Sequence, residues 1–316
     1  MVDYTKSCAI IPSFDWFVNQ LSEELKSKII SDFNRQSGAL IPYFESDEWA
    51  KYKHYLKFDF LDIKVIEVYD RRNGFQLHKT ELIITGSFHK NHFKGFNHQD
   101  FKFSHVQYQL DLIEKTFGVE LEKYKICNIE IGVNFIVDFL IRQTLKQKLL
   151  AFRKRQFKEY DEDSKGRIIG SYNKFVDNFI MKLYDKGILF FNNPKLMRYE
   201  YKFLRMQKLK TFGIYTLADL RDNEKLIKTI EFIVKCFEDI IYSEYLREGV
   251  ALNPEEQKYF DKVSNSKFWE DLALESNTKY QNEVKKFKSF KSKYCECQQL
   301  ELSNQIKTKF FELLET

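Results

Sequence analysis

Breakers and staples are scarce in this chain of 316 residues. It has 4 prolines and 11 glycines, so few flexible linkers are expected. Its five cysteines, Cys8, Cys127, Cys236, Cys295 and Cys297, supply only one C-x-C and no paired C-x-x-C set. That excludes a zinc ribbon or finger, and an odd count without a spaced framework points to a reducing compartment. No basic stretch followed by an apolar run opens the chain, so no secretion signal is read. No segment approaches the roughly 20 apolar residues that cross a bilayer. A soluble, intracellular protein is expected. There is neither a Walker loop nor a G-x-G-x-x-G, which removes nucleotide-driven motors and dinucleotide sites. No fixed-period repeat is present. The net charge of +5 permits a nucleic-acid partner without requiring one.

What the chain does contain is a folded composition, 43% hydrophobic and 16% aromatic. Its length gives one large or two modest domains. Helical spacing of Phe14, Phe17, Val18, Leu21, Leu25, Ile29 and Ile30 predicts a helix over 14–33. Strand-like patterns follow over 55–68, 75–80 and 81–88, with Arg71-Arg-Asn-Gly74 as a turn. A helix from Ser104 to Gly118 comes next, then a strand over 125–137. Residues 140–157 read as helical, 167–172 as a short strand and 171–177 as a turn. After two more strands the chain is expected to be helical to its end. The order gives an α+β fold, with a catalytic domain over 1–215 and a helical region over 216–316.

Three strands carry chemistry. Alternation sends Ile129, Ile131 and Val133 to one face, and Glu130 and Asn134 to the other. In 179–186, Met181 and Leu183 oppose Lys182, Tyr184 and Lys186. In 196–202, Met197, Tyr199 and Tyr201 oppose Arg198, Glu200 and Lys202. A shared sheet would gather two carboxylates, a tyrosine and several cations, a set suited to metal-assisted phosphodiester chemistry with a tyrosine nucleophile. The plainer reading pairs both acids with cations on a solvated face. Tyr172, in Gly170-Ser-Tyr-Asn-Lys174, is the rival nucleophile. His89, His92, His98 and His105 cluster among Lys90, Lys94, Lys102 and five phenylalanines. That pattern suits single-stranded nucleic acid, unless the rings are core. A second basic aromatic run, Lys285-Lys-Phe-Lys-Ser-Phe-Lys-Ser-Lys293, fits a solvated helix face or a DNA backbone.

The ordered series resembles the rolling-circle replication initiators of filamentous phages, the gene II type, and the Rep proteins of small rolling-circle plasmids. It covers roughly residues 80–220. The family's Arg-Ile-Asp strand looks like Asn128-Ile-Glu130, with Glu for Asp and Asn for Arg. Its tyrosine element looks like Leu183-Tyr-Asp-Lys186, and Gly170-Ser171 ahead of it matches the plasmid pattern. Its Arg-Phe-Glu strand is similar to Arg198-Tyr-Glu200, and its Leu-Lys-Ser-Phe-Gly to Leu209-Lys-Thr-Phe-Gly213. No His-apolar-His motif is present.

The resemblance implies a relaxase/HUH-like Rep fold, a central antiparallel sheet with helices on one face and a helical C-terminal region. It implies a site-specific single-strand DNA nickase and strand transferase. Tyr184 would be the nucleophile, Lys182 and Lys186 would stabilise charge, and Glu130, Glu200 and His89 would hold Mg²⁺ or Mn²⁺. Lys90, Lys94, Arg198 and Lys174 would contact DNA, with Arg198 alternatively holding Glu200. The partner would be single-stranded or supercoiled origin DNA, with a host helicase as a further candidate, in the host-cell cytoplasm. The competing readings are a non-catalytic DNA-binding protein and a metal nuclease that uses water.

Overall fold

In a computed structural model the chain is described over residues 1–31, 43–44, 48–162, 168–176, 179–187 and 195–315, with the side chains of 43–44, 158–162 and 168–176 outside the description. Two compact units emerge, Met1–Ile131 with Lys202–Lys228 and Leu313–Thr316, and Gly132–Tyr201 with Thr229–Glu312. The division passes through two strands, β7 (Lys125–Ile136) and β12 (Leu196–Phe203).

The first unit begins with β1 (Val2–Ile11). Then come the short helices α1 (Phe14–Gln20) and α2 (Glu23–Lys26) and the short strands β2 (Ile30–Ser31) and β3 (Tyr43–Phe44). A meander follows, β4 (Trp49–Phe58), β5 (Leu61–Asp70) and β6 (Gln76–Ser87). The helix expected over 14–33 is therefore two short helices and a strand. Ser13 caps α1 by accepting from Trp16 N, and Leu21 leaves helical geometry at its end. Ser22 starts the second helix anew. The strands expected at 75–80 and 81–88 are one, since β6 pairs with β5 along almost its whole length. After α3 (Phe88–His92), helix α4 (Phe103–Phe117) buries Val106, Leu110, Ile113 and Phe117 on one stripe. It stops at Gly118, whose φ of 65° suits a left-handed cap.

The second unit carries α5 (Ile141–Lys148) and β8 (Leu149–Ala151) where one helix over 140–157 was expected. Here β8 pairs with β13 (Ile241–Tyr242) as a small separate sheet. Strands β9 (Lys158–Glu162), β10 (Ile168–Val176) and β11 (Phe179–Asp185) are antiparallel neighbours. The turn expected at 171–177 is instead strand through Val176. Beyond α6 (Gln207–Lys210) and α7 (Asn223–Glu238), the chain continues as α8 (Pro254–Val263), α9 (Ser266–Glu275), α10 (Asn277–Tyr294) and α11 (Gln298–Leu314). Trp269 anchors the α9 packing, fully buried against Tyr280 and Phe287 with its Nε1–H on Val263 O at 2.7 Å.

Among the described residues the main sheet has eleven strands, in the order β2-β4-β5-β6-β1-β7-β12-β11-β10-β9, with β3 on β4. The expected α+β class, an antiparallel sheet with helices and a helical C-terminal region, is what the chain adopts. The N-terminal strand thus lies between β6 and β7. Among the described residues, no helix is long and apolar enough to cross a membrane.

Candidate active site

The three chemical strands expected from the sequence are β7, β11 and β12, and β12 lies between the other two. Their apolar faces are core: Ile129, Ile131, Met181, Leu183, Met197 and Tyr199 are all buried. The opposite side chains are mostly buried as well. Glu130 is 8% exposed, Glu200 2% and Arg198 2%. Buried charges are rare unless paired or bound to a metal.

The partners of Glu200 are specific. Arg198 Nε donates to Oε2 at 2.8 Å, and Lys182 Nζ donates to Oε1. The Tyr184 hydroxyl donates to Oε2 at 3.4 Å. Arg198 reaches on to Asn134, with Nη1 donating to Oδ1 at 2.8 Å. Tyr184 itself is half-buried, and Lys186 Nζ lies 5.7 Å from its ring centroid. Lys186 is buried just past the end of β11.

Around Glu130 the contacts come from β1 and β12. Lys202 Nζ lies 3.7 Å from Glu130 Oε2 and 4.1 Å above the Tyr4 ring. Burial, then the charge of Glu130, push the Tyr4 phenol above its usual range. Tyr4 faces Glu130 across the ladder, but Val2 already faces Ile131. Asp3 is therefore an extra residue, a β-bulge that re-aims its side chain. It is buried and accepts from Ser87 Oγ at 2.7 Å. Asp3, Glu130 and Glu200 each offer a carboxylate oxygen, and these atoms lie within 4.8 Å of one another.

This donor set fits a hard divalent cation. Oxygen ligands bind Mg²⁺ at about 2.0–2.1 Å and Ca²⁺ at about 2.3–2.6 Å. Ligand atoms on a common ion of that kind therefore sit within a few ångströms of each other, as these do. Asp3 had no usable sequence signal, since the bulge interrupts the period of two on which a strand is recognised.

Gly132 shapes the same place. A Cβ there would meet Tyr199 O at 2.8 Å, Arg198 Nη2 at 3.2 Å and Glu200 Cα at 3.2 Å. Gly132→Ala should force β12 aside and cost about 1–3 kcal/mol, read as a lower urea midpoint with an unchanged slope.

Of the other expected residues, those of the histidine segment lie on α3 and the stretch after it. His89 is buried on α3, stacked on Phe101 at 4.9 Å with an interplanar angle of 17°, and does not belong to the carboxylate cluster. His92 and His105 stack at 4.2 Å, and burial lowers both pKa values. Phe88 and Phe101 are core, whereas Phe96 is exposed. Lys94 is exposed, 3.4 Å from Asp59, and Lys90 is half-buried in the middle of α3. Arg198 has its guanidinium on Glu200 and Asn134. Tyr172 and Lys174 lie opposite Tyr184 and Lys182 in the β10–β11 register, and their side chains are outside the described residues.

No family model matches the sequence, and no curated protein does. Among solved structures the chain is similar to the rolling circle replication initiator protein from Geobacillus stearothermophilus. The identity is 11% and the TM-score 0.37, over 84% of this chain and 96% of that chain.

Proposed function

We propose that the protein is a rolling-circle DNA replication initiator, a metal-dependent single-strand nickase and strand transferase with Tyr184 as nucleophile. The observation that carries this reading is the Tyr184 hydroxyl on Glu200, which belongs to the cluster of three buried acids. A nucleophile and an oxygen-donor site are thus joined through one carboxylate. The ordered motifs of the sequence add the family context.

In this reading Asp3, Glu130 and Glu200 hold Mg²⁺ or Mn²⁺, which polarises the scissile phosphate when bound. Glu200 orients the Tyr184 hydroxyl and takes its proton. The phenolate oxygen attacks phosphorus, the P–O3′ bond breaks, and the departing 3′-oxygen takes a proton from water to become the hydroxyl that primes synthesis. The 5′-phosphate stays on Tyr184. Lys182 and Lys186 offset the negative charge that builds on the phosphoryl oxygens. Arg198, two residues away on the same strand face, keeps Glu200 in place. A division into a catalytic region over 1–215 and a helical region that helps recognise the origin belongs to the same proposal, as do DNA contacts by Lys90, Lys94 and Lys174.

The test is covalent trapping. The protein is incubated with Mn²⁺ and single-stranded oligonucleotides tiling its own genetic element, and denaturation-resistant protein–DNA bands are mapped to a residue. An adduct on Tyr184 supports the proposal. An adduct on Tyr172 keeps the chemistry and moves the nucleophile. Cleavage without adduct supports a nuclease that uses water, and binding without cleavage a non-catalytic DNA-binding protein.

The metal assignment makes a separate prediction. Asp3→Asn should weaken Mn²⁺ binding at least about tenfold, measured by titration calorimetry. Unchanged affinity would remove Asp3 from the ligand set.

A further inference from the structure

Two thiols face each other on the strands that carry Asp3 and Glu130. Cys8 Sγ on β1 and Cys127 Sγ on β7 are 3.4 Å apart, 119 residues distant in sequence. The ladder shows why they meet. Lys6 faces Asn128 and Ser7 faces Ile126, so Cys127 is an extra residue in β7. This second bulge turns Cys127 out of strict alternation toward Cys8. Both side chains are half-buried, free of disulfide, and open to a small reagent. Cys236 and Cys295 are buried, and Cys297 is exposed.

The geometry points to a redox-sensitive dithiol, a modification site at which Cys8 and Cys127 close to a cross-strand disulfide by exchange with a low-molecular-weight disulfide. The sulfurs must approach from 3.4 Å to about 2.05 Å.

The electrostatics favour the first step. A hydrogen bond from Cys8 lowers the Cys127 thiol to about 7, with Lys6 adding a smaller effect in the same direction. The shared proton pushes Cys8 up. Glu81 on β6 opposes ionisation of both thiols, and Lys125 on β7 favours that of Cys8. A thiolate is the attacking species in exchange. With oxidised glutathione, the Cys127 thiolate attacks one sulfur and releases one glutathione thiolate. Cys8 then gives up its proton and attacks the Cys127 sulfur of the mixed disulfide, releasing the second. Two protein thiols are oxidised, one glutathione disulfide is reduced to two thiols, and the two thiol protons pass to them. This inference does not depend on the proposed nickase activity.

The experiment treats the full chain carrying Cys297→Ser with oxidised glutathione under native conditions. Remaining thiols are then alkylated, and peptides mapped by mass spectrometry. The expected result is a Cys8–Cys127 linkage within one chain, reversible by dithiothreitol. Its rate should fall about tenfold per pH unit below pH 7, as the thiolate fraction does. In Cys8→Ser, verified as folded by circular dichroism, Cys127 should instead stop as a glutathione adduct. Separate stable adducts on Cys8 and Cys127 with no linkage, or no reaction at either while the unfolded chain reacts, would overturn the inference.

Discussion

Tyr184→Phe is expected to abolish the covalent protein–DNA adduct and lower nicking at least about 10³-fold, as removal of a nucleophile does. Binding of the same single-stranded DNA should change less than about threefold, because one hydroxyl among many contacts is lost. The substitution removes a hydrogen bond to Glu200 at 3.4 Å and keeps the ring beneath Lys186. Folding should therefore survive, which separates a chemical defect from a structural one. Gel-shift and cleavage assays on one preparation check both halves. Nicking at the native rate would take Tyr184 out of the mechanism.

The second large effect is on stability. Arg198→Met is expected to cost about 3–5 kcal/mol, the range for breaking a buried ion pair by removing one partner. The guanidinium is 2% exposed and bonds Glu200 and Asn134 together. Methionine fills much of the space but removes the guanidinium from the Glu200 carboxylate, which keeps its pair with Lys182. Urea unfolding followed by fluorescence measures the loss. A shift under about 1 kcal/mol would mean that Glu200 is held by other groups. Replacing Arg198 by Lys should recover only part, since an ammonium lacks the planar fork that spans Glu200 and Asn134.

The residues most legible in the sequence were those on strands with one wholly apolar face. From Ile129 onward in β7, and along β11 and β12, the alternation of Ile, Met, Leu and Tyr against polar side chains survives. It gave the strand limits to within one or two residues and brought Glu200, Lys182 and Tyr184 together. Even there, the acids were open to a reading as solvated surface, and burial settles that point. The strand β1 was not legible. Its inner face is Thr5, Ser7 and Ala9 as well as Ile11, too polar to read as core, and the bulge at Asp3 shifts its phase. Short elements suffered for another reason. Phe14–Ile30 keeps helical spacing across a break that only the caps at Ser13 and Ser22 reveal. Leu149–Ala151 leaves the helical pattern because a strand from far along the chain, Ile241–Tyr242, pairs with it. Such tertiary contacts override local propensity. The histidine segment divides likewise, with Phe88 and Phe101 taken up by the core.

The place of β1 between β6 and β7 sets a clock on assembly. Asp3 is made well before its partners: Ser87 follows it by 84 residues, and its companion carboxylates stand at 130 and 200. At a synthesis rate of about 5–20 residues per second, β1 waits several seconds for β6 and longer for β12. During that interval its backbone edges have no ladder to join, a state open to pairing with other chains. Contacts so distant in sequence also slow refolding of the finished chain. Expression at low temperature, with chaperones at hand, is the condition under which this order of events should yield most folded protein.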